Sequence, residues 1–131
     1  MTGYKSKVSW NIVLVDDDSG VLYVHEHLLL KMGHRVKSFT SPLEALAYID
    51  VNRDELNMMV TDFKMPELDG LALIQRIRQL GIDFPILILS GFAAGSALAN
   101  VAASCETCVM AKPVRYKQIK DHIEHLQHSA G

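Results

Sequence analysis

Short apolar runs recur along this chain, each breaking off on a polar group and each separated from the next by a stretch with helical spacing. That alternation limits the possible folds more than any bulk property of the chain. Asn11–Val15 stops on three acids in a row, Asp16, Asp17 and Asp18. Residues 56–61 stop on Asp62, residues 85–90 end in the hydroxyl of Ser90, and Thr107–Ala111 stops on Lys112 and Pro113. Runs this short, with β-branched residues among them, read as buried strands rather than helices. Arg35–Phe39 instead alternates polar and apolar residues, as a half-exposed strand at or near a sheet edge does.

The stretches between carry helix signals. Asp18 or Ser19 can cap a first helix whose apolar positions Val21, Val24, Leu28 and Met32 recur at helical spacing, with Gly33 to stop it. Ser41-Pro42-Leu43-Glu44 is a complete helix start, with Ser41 as N-cap, Pro42 in the first turn and Glu44 closing a capping box. Leu73, Ile74, Ile77 and Leu80 form the stripe of a third helix ending at Gly81. Residues 95–104 are Ala-rich and uncharged, a weakly specified fourth helix with Leu98, Val101 and Ala102 on one side. Tyr116, Ile119, Ile123 and Leu126 give the last helix its stripe. Strand and helix alternating five times with short connections predicts an α/β fold, a doubly wound five-stranded parallel sheet with right-handed crossovers covering both faces.

At 131 residues the chain is the size of one domain, expected over 11–127, with a polar leader at 1–10 and a frayed tail at 128–131. Hydrophobic residues make up 49% and the net charge is only -2, a balance that argues for a packed core and against disorder. With no basic excess and no Lys/Arg run, direct nucleic-acid binding is not expected. No membrane span or signal peptide is visible and two cysteines make no disulfide framework, so the expected location is cytoplasmic.

A lone Asp before a loop reads as a cap or a turn residue. Here four apolar strands deliver Asp16 and Asp17, Asp62, Ser90 and Lys112 to one sheet edge, the edge where open parallel sheets bind ligands. Clustered carboxylates raise each other's pKa unless a hard cation sits among them, and Mg2+ or Mn2+ takes oxygen ligands of this kind. A carboxylate beside such an ion can act as nucleophile on a phosphoryl group, while Lys112 and Ser90 supply positive charge and a hydrogen-bond donor.

The carriers I-V-L-V-D-D-D, V-T-D-F-K-M-P-E-L-D-G, L-S-G and A-K-P-V, in this order and spacing, make the chain similar to the receiver domain of two-component response regulators from about residue 11 to about residue 126. The resemblance implies a flavodoxin-like sheet, of the kind seen in chemotaxis receivers, in strand order 2-1-3-4-5, with a cis Lys112-Pro113 bond. It implies Asp62 as phosphoacceptor in a His-Asp phosphorelay, Asp17 as direct metal ligand, Asp16 acting largely through water, and the main-chain carbonyl of Lys64 as a further ligand. Ser90 and Lys112 would hold the phosphoryl group, and Phe92 and Lys64 would modulate its hydrolysis. Such a domain is a signalling phosphoacceptor rather than an enzyme acting on a substrate, catalysing its own phosphotransfer and slow dephosphorylation. Its partners would be a histidine kinase or phosphotransfer domain and an output domain or protein, the latter met through the fourth helix, fifth strand and last helix. The S-G-F and K-P-V endings resemble receivers attached to hybrid histidine kinases, with a free-standing regulator as the alternative. Two departures stand out. The family's usual aromatic switch position falls on Val109, and the uncharged fourth helix counts against the dimerisation mode of transcription-factor receivers.

Two rival readings use the same residues. A haloacid-dehalogenase-type phosphatase with Asp16 as nucleophile would need a second acidic pair late in the chain, yet nothing acidic lies between the fourth strand and Glu106. A receiver-like interaction module that takes no phosphate would keep the fold alone. Cys105 and Cys108 form a C-x-x-C that leads into a strand rather than opening a helix, which excludes thioredoxin chemistry. With His122, His125 and His128 they could hold zinc, but without a second C-x-x-C they read as ordinary thiols and a solvated face. His25, His27 and His34 are expected at the surface.

Overall fold

The computed structural model describes residues 8–91 and 107–130. The order is β1 (Asn11–Val15), α1 (Ser19–Lys31), β2 (Arg35–Phe39), α2 (Pro42–Asn52), a 3-10 turn (Arg53–Glu55), β3 (Met58–Asp62), α3 (Gly70–Gln79), β4 (Ile86–Ser90), β5 (Thr107–Ala111) and α4 (Tyr116–Ala130). All pairings are parallel and the sheet runs β2-β1-β3-β4-β5, as expected. The Lys112-Pro113 bond is cis. The expected fourth helix at 95–104 lies outside the described residues, as do Phe92 and Cys105.

Alternation along each strand builds two cores. Val13, Val15, Met59, Ile86 and Ile88 point to the face covered by α2 and α3, where they meet Ala45, Ile49, Leu73, Ile74 and Ile77. Their neighbours Ile12, Leu14, Met58, Val60, Leu87 and Leu89 point to the opposite face, against Leu22, Leu29 and Met32 of α1 and Ile119 and Ile123 of α4. With both faces covered, the central strands must be apolar at every position, which is why their sequences read as continuous runs. Each such side chain buried from water contributes roughly 1.5–3 kcal/mol. Edge strand β2 is only half-buried, in keeping with its alternating sequence. Arg78 fixes the entry to β4: its Nη1 donates to the carbonyls of Ile82 at 3.0 Å and Phe84 at 2.9 Å.

Three sequence expectations are corrected. In α1 the buried positions are Leu22, His25 and Leu29, one residue round from the expected Val21, Val24 and Leu28, and Val24 is exposed; Met32, at the carboxyl cap of the helix, is buried as expected. The segment is apolar on most of its circumference, with Leu22, Tyr23, Leu29 and Leu30 adding to the expected positions, so periodicity could not choose the buried side. His25 and His34 are buried rather than at the surface, while His27 is exposed and lies 5.5 Å from the Tyr23 ring. His34 folds under the amino end of β1, where its Nδ1 accepts from the Trp10 backbone N–H at 3.0 Å. The residues expected as a frayed tail are helical, because α4 continues through His128 to Ala130. Among the described residues no helix is long and apolar enough to cross a membrane.

Candidate functional site

The order of strands switches sides at β1, with β2 on one flank and β3 on the other, and register decides what meets there. Val15 pairs with Thr61, so the next residues, Asp16 and Asp62, emerge side by side at the carboxyl edge. Ser90 pairs with Ala111, and the backbone N–H of Lys112 then donates to the Ser90 carbonyl at 2.8 Å, which turns the lysine back across the edge. The structure thus brings together Asp16, Asp17, Asp62, Ser90 and Lys112. Carboxylate oxygens of Asp16, Asp17 and Asp62 all lie within 4.8 Å of one another.

These groups are not equally exposed. Asp16 is buried, Asp17 is exposed, and Asp62 is half-buried. Asp16 Oδ1 accepts from the Asp18 N–H at 2.9 Å, whereas Oδ2 is buried without a hydrogen bond and 3.6 Å from Lys112 Nζ. Lys112 Nζ donates to Asp62 Oδ1 at 2.9 Å. Burial raises the Asp16 carboxyl above the usual carboxylate range, the Asp18 N–H opposes this, and the charges of Asp62 and Asp17 push it further up. Burial also pulls Lys112 down, but its hydrogen bond to Asp62 and the attraction of both acids outweigh that and hold the ammonium above its ordinary value. A hard cation among these oxygens would satisfy the orphaned Asp16 Oδ2 and relieve the repulsion, so the donor set fits Mg2+.

Lys64 and Met65 border a cleft with Asp17, Pro66 and Asp69, beside the trio and lined by no residue of α1. On the α1 side an open cavity of about 710 Å3 is lined by Val21, Val24, His25, Lys112, Pro113 and Val114. Ser90 is buried at the end of β4, and Val109 packs against the α2 and α3 core. Cys108 is a half-buried free thiol in β5. On α4, His122 is half-buried and His125 and His128 are exposed, and among the described residues they join no metal-ligating group.

Sequence reasoning gave no role to three residues that shape the site. Gly70 opens α3 with its N–H 2.6 Å from the Phe63 carbonyl, and a Cβ there would sit 2.7 Å from the carbonyl oxygen of Asp62. The Asp69-Gly70 pair at a helix start was the available signal: Asp69 caps α3 by accepting from the Ala72 N–H at 2.8 Å. Glu67 takes a left-handed φ of 73°, which the sequence hides because the residue is not glycine. His25 lines the cavity on the α1 side of the site and carries a buried Nδ1 without a hydrogen-bond partner.

Residues 12–124 match the family model described as the response regulator receiver domain. The chain is 29% identical over 115 residues to the response regulator receiver protein CpdR of Brucella abortus, covering 88% of this chain and 94% of that protein. The chain spans 30% or less of the length of the longer curated relatives it matches. A receiver domain from Clostridium thermocellum superposes with a TM-score of 0.83 at 24% identity, over 88% of this chain and 92% of that one. The receiver domain of the sensor histidine kinase PA1611 from Pseudomonas aeruginosa, solved with magnesium coordinated in its active-site cleft, superposes with a TM-score of 0.77 at 23% identity, covering 90% of this chain and 97% of that one.

Proposed function

This chain belongs to the response regulator receiver domain family, and we propose on that footing that it is a phosphoacceptor, taking a phosphoryl group from a phosphohistidine onto Asp62. One observation carries the reading: three carboxylates share a 4.8 Å neighbourhood at the crevice, and one of them is hydrogen-bonded to a lysine. Purely structural acids would disperse into solvent; these converge, and one is buried.

In the proposed transfer an Asp62 oxygen attacks phosphorus, the P–N bond of the donor breaks, and the imidazole leaves as the acyl phosphate forms. Asp16, Asp17, Asp62 and the Lys64 carbonyl would hold Mg2+, or Mn2+ in its place, which when bound neutralises charge on the phosphoryl oxygens. Lys112, released from Asp62 Oδ1 as that carboxylate is converted to the acyl phosphate, would turn its ammonium to a phosphoryl oxygen, and the Ser90 hydroxyl would donate to another. Because the burial of Lys112 is partial, its charge is screened less than a surface lysine's and acts at short range. Lys64 and Phe92 would flank the attacking water and set the lifetime of the phosphoform.

The donor would be a histidine kinase or phosphotransfer domain in the cytoplasm, and the output partner would meet the fifth strand, the last helix and the segment between Ser90 and Thr107. With Val109 unable to serve as an aromatic switch, the change at Ser90 would travel through the loop that leaves β4. Incubation with acetyl phosphate and Mg2+ should give a single phosphate adduct by mass spectrometry, and Asp62→Asn should abolish it. An equal adduct on the Asn variant would move the nucleophile to Asp16 and overturn the reading.

A further inference from the structure

The loop joining β3 to α3 is fixed at two points, and the second lies outside the acid trio. At its base the Gly70 N–H donates to the Phe63 carbonyl at 2.6 Å. At its tip Glu67 holds a φ of 73° within a tight turn closed by the Leu68 N–H on the Pro66 carbonyl at 2.8 Å. Non-glycine residues seldom adopt that backbone without something to hold them there. Here the hold is visible: Glu67 Oε1 accepts from Ser41 Oγ at 2.9 Å, across 26 residues of sequence. The Ser41 hydroxyl works in both directions, because it also accepts from the Glu44 N–H at 3.2 Å as the N-cap of α2.

We propose that Ser41 and Glu67 are positioning residues, a latch from the start of α2 to the loop tip that presents the Lys64 main chain to the metal. The proposal rests on the phosphoacceptor reading above. Neither residue touches the ion; they act through the three residues between the two fixed points, Lys64, Met65 and Pro66. Lys64, Met65 and Pro66 border the cleft beside Asp17, so a tip that relaxed from its left-handed turn would move the Lys64 carbonyl away from the acids. A ligand set held in place before the ion arrives loses less conformational freedom on binding and so binds it more tightly.

Calorimetric titration of the intact domain with Mg2+, paired with thermal unfolding in EDTA, separates positioning from folding. Ser41→Gly keeps a residue tolerated at an N-cap but loses the donor. Glu67→Gly loses the acceptor while suiting the left-handed turn, so its metal-free Tm should equal or exceed the parent's. Both should raise the Mg2+ Kd about three- to tenfold, the range for the net loss of one ordinary solvent-exposed hydrogen bond. Glu67→Gln keeps an acceptor oxygen and removes the charge, and should stay within about twofold of the parent. The double Gly variant should bind no worse than either single one, since a latch breaks only once. Unchanged Mg2+ affinity in both Gly variants would overturn the latch, as would Glu67→Gln binding as weakly as Glu67→Gly, which would make the effect one of charge. A parent domain that took up no Mg2+ would instead remove the functional reading, and the latch with it.

Discussion

His25 shows what a single buried imidazole does to a domain. Burial pushes its pKa below 6.5, the Lys112 ammonium adds to that, and Asp62 opposes both. The folded state therefore holds the ring neutral where the unfolded chain would protonate it. With the folded pKa depressed, stability is full above about 6.5 and is lost as pH falls from there toward the folded value. Nδ1 is also buried without a hydrogen bond, which carries its own desolvation cost. His25→Leu should therefore be more stable than the parent by about 1 kcal/mol at pH 7.5, and by more at pH 5.5, in urea unfolding. A gap that narrowed on acidification would show that the ring gains a partner on protonation. Nothing in the sequence signalled this residue, because a histidine within a mostly apolar helix fits a polar face as readily as a buried one.

At the scale of elements, α3 and the loop before it depend on one missing methyl. Gly70 lets the helix start directly against the carbonyl of the phosphoacceptor candidate, and Ala would place a Cβ 2.7 Å from that oxygen. The opposing atom is backbone and cannot swing aside as a side chain would. Gly70→Ala should cost roughly 1–3 kcal/mol, seen as a fall of several degrees in Tm, and should slow phosphorylation of Asp62. A Tm within a degree of the parent's would mean that the loop absorbs the contact. The strand ends and the N-caps at Asp18, Ser41 and Asp69 follow from local chemistry, and so the caps at Asp18 and Ser41 were legible in the sequence. The rotation of α1 was not, because its mostly apolar circumference let tertiary packing choose the buried side. The left-handed turn at Glu67 was hidden for a related reason: its support comes from Ser41, which only the folded chain brings near. The site's acids could be listed in advance, whereas their separation into buried Asp16 and exposed Asp17 waited on the geometry.

For the whole molecule, the parallel sheet separates two ends with different duties. Every strand ends on the edge that carries the acid crevice, while the amino ends are closed by packing and by bonds such as that from Asn11 Nδ2 to the Glu55 carbonyl at 2.8 Å. Trp10 lies at this closed end, just before β1, and Asp16 follows β1 at the other. Six residues of extended chain put them about 20 Å apart. The molecule's sole indole is therefore optically blind to its own crevice. Mg2+ titrations should leave Trp10 emission flat while calorimetry records heat, and a change in emission at saturating metal would mean that the ion is felt through the full depth of the sheet. That blindness has a use: unfolding curves recorded at any metal concentration would share their fluorescence baselines, so a shifted midpoint would report binding energy free of quenching. To watch the crevice itself the chain needs a second chromophore, and Phe63→Trp, next to Asp62 in sequence and half-buried, would supply it.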